Sequence, residues 1–258
     1  MSSAYTPIQS NDSPPRYSAF PALGGDPDSD LPDDFKYGAT VEQSSASVRL
    51  DFVRKVYFIL AGQLTLTTAV SLLFMLNSSI KSWVQTHSWL LWTSIILSFV
   101  VLIAMSIYRR SYPTNIFLLG AFTFAEAYLV GTVVTFYDST IVLQAVILTA
   151  ALFIGLTLFT IQSRIEFDFL APFVWTGIWI LIISGIVQAF VPFGSFLNFV
   201  LCVGGIVLFS AYIIYDTFQL FQRMSPEDYV VASVELYLDI LNLFLRILQL
   251  LSSNRDSD

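Results

Sequence analysis

Seven apolar windows divide the chain, at roughly 55–76, 88–108, 114–136, 141–161, 170–191, 197–221 and 229–251. Each is long enough for a helix to cross a hydrocarbon core of about 30 Å. Short connections separate them. Gln162, Arg164, Glu166 and Asp168 form a compact polar break between the fourth and fifth windows. The last window is the least apolar, carrying Glu235, Asp239, Asn242 and Arg246, so a re-entrant segment is its alternative to a full crossing. The pattern predicts an all-α polytopic membrane protein, a seven-transmembrane-helix bundle over residues 51–251. A short polar tail follows at 252–258.

Residues 1–50 have no apolar run. They hold six of the ten prolines, interspersed with Ser, Gly and Asp, and predict a disordered, acidic, Pro-rich N-terminal tail. No cleavable signal peptide is visible, so an internal helix is expected to direct insertion. Within the tail, Pro14, Pro15, Arg16 and Tyr17 form a PPxY match. Such a segment offers WW domains an extended polyproline face followed by an aromatic anchor. Chance occurrence in a proline-rich tail is the alternative.

Composition supports the membrane assignment: 55% of residues are hydrophobic and 12% charged, against about 25% charged in soluble domains. The net charge of −7 arises largely in the tail, and nothing resembles a basic nucleic-acid surface. Lys and Arg are distributed unevenly across the predicted topology. Arg16, Lys36, Arg49, Arg54, Lys55, Arg109, Arg110, Arg164 and Arg223 fall on one side, Lys81 and Arg255 on the other. The positive-inside rule makes the N-terminal side cytosolic. Trp83, Trp89 and Trp92 fit an interfacial belt. One cysteine, Cys202, and one histidine, His87, exclude an internal disulfide and a Cys/His metal cluster.

The candidate chemistry lies in the last two windows. LNFVLCVGGIVLFSAYIIYDTFQLF and YVVASVELYLDILNLFLRILQLL are joined by a short polar turn. Packed as a hairpin about Glu227, they would carry Asp216 and Asp239 to a common depth, about 17 Å from the turn. Ionisable groups there are costly and mark functional sites. Two carboxylates sharing a site cannot easily both stay ionised, which makes the pair a candidate proton or cation site, with oxygen-ligand cations left open. Glu126 approaches a similar depth, about 20 Å from Pro113. Arg54, Arg109, Arg110 and Arg164 end predicted helices on the cytosolic side, where one could pair with the aspartates. Structural hydrogen-bond anchoring is the alternative for all three carboxylates.

Two enzyme classes fit poorly. Intramembrane aspartyl proteases place their second aspartate in Gly-x-Gly-Asp, whereas Asp239 sits in Tyr-Leu-Asp-Ile. A serine hydrolase would need a Gly-x-Ser-x-Gly elbow, and none occurs. A seven-helix receptor is disfavoured by minimal loops and the lack of a disulfide.

Four stretches carry a family resemblance: YRRSYPTN from Tyr108 with Glu126 beyond it, the run Val133–Phe169, IYDTFQL at Ile214–Leu220, and Ser225–Leu248. In order and spacing they resemble the Bax inhibitor-1 / transmembrane Bax inhibitor motif family, in its Lifeguard branch, and point to a fungal member. The resemblance covers residues 50–251. It implies a non-enzymatic, pH-sensitive passive calcium leak of intracellular membranes, linked to suppression of cell death and to the unfolded-protein response. A non-conducting regulator acting through partners is the competing class. By that resemblance Asp216 and Asp239 would form the di-aspartyl sensor and hold Ca²⁺ transiently, and Glu126 with Arg109 or Arg110 would form the path or gate. No resident cofactor is implied, Ca²⁺ being the permeant or regulatory ion. Implied partners are membrane lipid, cell-death regulators and, through the tail, a WW-domain ubiquitin ligase. The implied location is the endoplasmic reticulum, with vacuole and Golgi as alternatives. Two departures stand out: Phe218 precedes Gln219 where the family often has Gln directly after Asp-Thr, and Gln162, Ser163, Arg164, Ile165, Glu166 and Phe167 stand where the family usually has Gln-Thr-basic-x-Asp-Phe.

Overall fold

A computed structural model describes residues 46–255. Pro14, Pro15 and Tyr17, with nearly all of the acidic tail, lie outside the described residues. Eight α-helices follow one another: α1 (Ala46–Leu76), α2 (Ser78–Thr86), α3 (Ser88–Tyr108), α4 (Thr114–Val134), α5 (Ser139–Gln162), α6 (Ala171–Phe190), α7 (Ser195–Gln222) and α8 (Tyr229–Arg255). A 3₁₀ turn at Phe167–Leu170 precedes α6. No strand occurs among the described residues.

Every apolar window holds a helix. Helix α1 starts at Ala46, ahead of its window, because hydrogen bonding along the backbone does not stop where the side chains become polar. Helix α8 likewise continues through Ser252 and Ser253 to Arg255. The connection after the first window is itself helical. Asn77 caps α2 by accepting hydrogen bonds from the Ser79 and Ile80 amides, at 3.0 and 3.2 Å.

Six helices (α1 and α3 to α7) are long and apolar enough to cross a membrane, which makes this an integral membrane protein. Their outer faces carry large exposed apolar side chains such as Phe58, Ile96, Phe117, Trp175 and Phe190. The seventh long helix, α8, breaks the compositional pattern with Glu235, Asp239 and Arg246, yet it is continuous from end to end and does not turn back. At 27 residues it is about 40 Å long.

Helix α8 is also the centre of the bundle. It packs against α7, α6's predecessor α5, α1 and α4, and it supplies the largest share of the buried core, including Leu236, Tyr237, Leu243 and Leu248. Those four helices cover it, and none of its residues from Tyr229 to Leu251 is exposed. That arrangement allows the least apolar helix to occupy the interior.

Candidate functional site

The site grows from the α7–α8 hairpin. Residues 223–228 turn the chain, with the Asp228 amide bonded to the Ser225 carbonyl at 2.9 Å and the Ala232 amide to the Asp228 carbonyl at 3.0 Å. Asp216 lies six residues before the end of α7, and Asp239 ten residues after the start of α8. These offsets correspond to about 9 and 15 Å along the two helices. The pair is therefore closer to the turn than the 17 Å expected, because six residues are spent in the turn without advancing along either axis.

The Asp216 and Asp239 carboxyls meet across the α7–α8 interface, close enough to act on one another as a pair. Asp239 is almost wholly buried, and its Oδ2 has no hydrogen-bond partner. A buried carboxylate oxygen with nothing to accept from is costly. A proton or a cation between the two groups would relieve that cost. Tyr212, one turn before Asp216 on α7, lies beside both carboxyls, and its hydroxyl donates to the Val174 carbonyl at 2.9 Å. That bond ties the pair's surroundings to the first turn of α6.

A third carboxylate adjoins the pair, and it is Glu235 rather than Glu126. Glu235 stands one turn before Asp239 on the same face of α8, within electrostatic reach of Asp216 and of Asp228. The i, i+4 spacing of Glu235 and Asp239 was the signal available in the sequence. Glu126 sits elsewhere, against Ser98 of α3 and within electrostatic reach of Tyr237 on α8. Tyr237 and Asp239 are two residues apart, so they point to nearly opposite flanks of the helix.

On Glu126's flank the interior polar groups pair with each other. Gln63 Nε2 donates to Thr123 Oγ1 at 3.1 Å, and the Thr67 and Tyr237 hydroxyls meet at 2.6 Å. These bonds join α1 to α4 and α1 to α8.

The arginines gather at the hairpin's turn. Arg109 Nε and Arg110 Nε lie 3.8 and 3.3 Å from Asp228 Oδ1. Arg110 also donates from Nη2 to Asp228 Oδ2 at 3.4 Å. Arg223, just past α7, is paired with Asp168 of the 3₁₀ turn. Arg54 pairs with Asp51 on its own helix at 3.7 Å, and Arg164 is exposed. Asp228, Glu235 and the aspartate pair thus form a line of carboxylates running inward from the turn, with Arg109 and Arg110 at its outer end.

Deeper along α8, Arg246 lies flat over Gly205 of α7. A Cβ at Gly205 would come within 2.9 Å of Arg246 Cδ and 3.0 Å of its Nε. The glycine leaves room for the guanidinium stem, and Arg246 Nη1 continues to Gln249 Oε1 at 3.3 Å. Phe218, the residue that separates Thr217 from Gln219, is buried edge-on against Phe167, with ring centroids 5.9 Å apart. Gln219 turns back to the Tyr215 hydroxyl at 3.0 Å.

Among the described residues, no three His, Cys, Asp or Glu side chains come together to hold a metal ion. Ca²⁺ takes six to eight oxygen ligands in a tight site. The pair offers two carboxylates, an arrangement suited to brief contact with a proton or cation.

Comparison with known proteins agrees in extent with the helical region. A family profile described as "Inhibitor of apoptosis-promoting Bax1" matches residues 49–256. The chain is 41% identical over 229 residues to protein lifeguard 4 of Mus musculus, covering 89% of this chain and 96% of that one. It is 42% identical over 223 residues to the Golgi anti-apoptotic protein of vaccinia virus strain Lister, covering 86% and 94%. It is 38% identical over 226 residues to Bax inhibitor 1 of Schizosaccharomyces pombe, covering 88% and 85%. From α1 through the paired aspartates to the end of α8, the chain belongs to the Bax inhibitor-1 family.

Proposed function

We propose that this protein is a non-enzymatic regulator of cell death in an intracellular membrane, and that it works as a pH-sensitive passive leak for Ca²⁺. The observation that carries this reading is the Asp216–Asp239 pair, buried between α7 and α8 with one carboxylate oxygen unpartnered. The cell-death role rests on relatives whose names include an anti-apoptotic protein and a Bax inhibitor. In this reading α8 crosses with the six apolar helices, giving seven crossings. The N-terminal tail is cytosolic, in keeping with the Lys and Arg bias, and residues after Arg255 emerge on the other side. The membrane is that of the endoplasmic reticulum or, as one relative's name suggests, the Golgi.

The mechanism follows from charge balance. A proton shared by the pair leaves one negative charge between α7 and α8 and keeps the helices packed. Loss of that proton leaves two, and a pair of like charges in a poorly solvated site either separates or takes up a cation. Flux therefore rises as pH rises through the titration of the pair. Glu235 extends the route towards the cytosol, and the Arg109 and Arg110 contacts to Asp228 restrain its mouth. Helix–helix repulsion acts directly on the hairpin because both charges lie on it.

The test is Ca²⁺ flux into dye-loaded proteoliposomes across a pH series, comparing wild type with Asp216→Asn and Asp239→Asn. Each substitution should flatten the pH profile. Unchanged flux and pH dependence in both variants would refute the sensor assignment. In the tail, Pro14, Pro15 and Tyr17 support recruitment of a WW-domain ubiquitin ligase as a second, partner-based output. Loss of WW-domain capture in Tyr17→Ala, with flux retained, would separate the two outputs.

A further inference from the structure

A second site lies on the other side of α8, away from the carboxylates. Helices α1 and α5 both pack on α8 but leave a gap between them. The gap is a lateral cleft of about 1090 Å³ with Ile240, Leu241 and Phe244 of α8 at its floor. Leu72, Met75, Val146 and Phe153 are among its walls. It extends along α1 from Leu64 to Leu76, a rise of about 18 Å. That matches the depth of one leaflet, about 15 Å of hydrocarbon.

The polar residues in the walls do not make the cleft wet. The Thr67, Thr68 and Thr149 hydroxyls donate to the Gln63, Leu64 and Ala145 carbonyls of their own helices, at 2.9, 2.8 and 2.7 Å. Each spends its proton on its own helix backbone. Water in a cavity needs two to four polar partners, and these walls supply few. An empty apolar gap would forfeit dispersion contacts along its length. The chemistry that fits is a hydrocarbon chain.

One end of the cleft is different. Lys81, Tyr137, Asp138 and Ser139 line it at the end of the bundle opposite the α7–α8 turn. Lys81 sits on α2, which is fastened over the end of α4. Gln85 Nε2 donates to the Thr135 carbonyl at 3.0 Å and to its hydroxyl at 3.2 Å, and Val84 is buried beneath. Anchoring of α2 thus places Lys81 at the polar end of an apolar cleft. The Asp138 carboxylate at this end already accepts from the Thr140 amide at 2.9 Å, and a lysine above a leaflet-deep hydrocarbon slot is complementary to a phosphate joined to an acyl chain. From this juxtaposition we infer that the α1–α5 cleft is a binding site for a membrane glycerophospholipid, with one acyl chain against α8 and its phosphate at Lys81.

Native mass spectrometry of the full chain in detergent, stripped of lipid and titrated with dioleoylphosphatidylcholine, tests this. Wild type should show one saturable adduct. Ala150→Trp, which fills the cleft wall, should weaken it at least tenfold. Lys81→Gln should weaken it several-fold while leaving dioleoylglycerol, which lacks the phosphate, unaffected. If Ala150→Trp does not yield folded protein, Val146→Trp makes the same test one turn away. The inference is overturned if no saturable adduct forms, or if the adduct survives in a cleft-filled variant with wild-type thermal stability. It is also overturned if cholesterol binds more tightly and is displaced by the Trp, or if the Trp instead dissociates a dimer. Equal loss of both lipids in Lys81→Gln would remove the phosphate assignment. None of these outcomes depends on Ca²⁺ flux.

Discussion

Neutralising Arg109 and Arg110 should open the leak modestly, and in a way that salt abolishes. Their nitrogens lie 3.8 and 3.3 Å from Asp228 Oδ1, with the arginine side chains 49% and 35% exposed. In bulk water, Coulomb's law gives about 1 kcal/mol for each contact at these distances. Exposed pairs lose much of that to side-chain entropy and screening, and commonly retain 0–1 kcal/mol. The two together should restrain the turn by about 1 kcal/mol, which is about a fivefold change in population. Arg109→Gln with Arg110→Gln should therefore raise Ca²⁺ flux in proteoliposomes by about two- to fivefold at 0.1 M salt.

The salt series decides whether that rise is electrostatic. The Debye length falls from about 10 Å at 0.1 M to about 3 Å at 1 M, below the contact distances here. Wild-type flux should climb towards that of the variant at 1 M. Asp228→Asn should reproduce the rise and add nothing to the double variant, because all three residues serve one contact. Unchanged flux at 0.1 M would refute the restraint. A rise that persists undiminished at 1 M would refute its electrostatic origin and point to repacking of the turn.

Three stability predictions follow, each read by thermal unfolding in detergent. Gly205→Ala should destabilise by about 1–2 kcal/mol despite the better helix propensity of alanine, since the new methyl meets the Arg246 stem. Combining it with Arg246→Ala should recover part of that loss, whereas simple additivity would show that the close approach does not matter. Tyr237→Phe should cost about 1 kcal/mol by removing the 2.6 Å bond to Thr67, and a Tm unchanged within error would show that bond to be idle. Asp239→Leu should cost about 3 kcal/mol, because it strands Asp216 without its partner, while Asp239→Asn, which keeps the shape and a polar contact, should cost far less. Equal losses in the two would mean that packing, not pairing, governs the site.

The transmembrane helices were legible because twenty successive apolar residues have few other uses. Helix α2 was not, because nine mostly polar residues carry no such signal, although Asn77 at its start is a recognisable cap. The aspartate pair was legible from distance along the chain alone. The third carboxylate was not, because position along a helix gives depth and leaves the direction around the axis undetermined. Glu126 and Asp239 were expected at comparable depth, but α8 stands between their surroundings. Glu235 required attention to the face of α8 it shares with Asp239. The arginine contacts lay further from view still: Arg110 and Asp228 are 118 residues apart, and only the α3–α4 connection reaching the hairpin's turn brings them together.

Helix α8 explains why these differences fall where they do. Glu235, Asp239, Asn242 and Arg246 recur at intervals of four, three and four residues, which traces one side of a helix. On another side, Tyr237, Ile240, Leu241, Phe244 and Leu248 are buried in the apolar core. Composition averages the two sides and makes α8 look like a poor membrane span, while the structure separates them. Charged groups are expensive against lipid but less so against a partner helix that carries a matching carboxylate, a tyrosine hydroxyl and a glycine gap. A helix with such a side must therefore lie inside the ring, and its neighbours must be apolar enough to hold it there. The four helices packed on it, α1, α4, α5 and α7, thus serve as the solvent of the eighth. The carboxylates on its α7 side and the cleft on its α1–α5 side thus share one element.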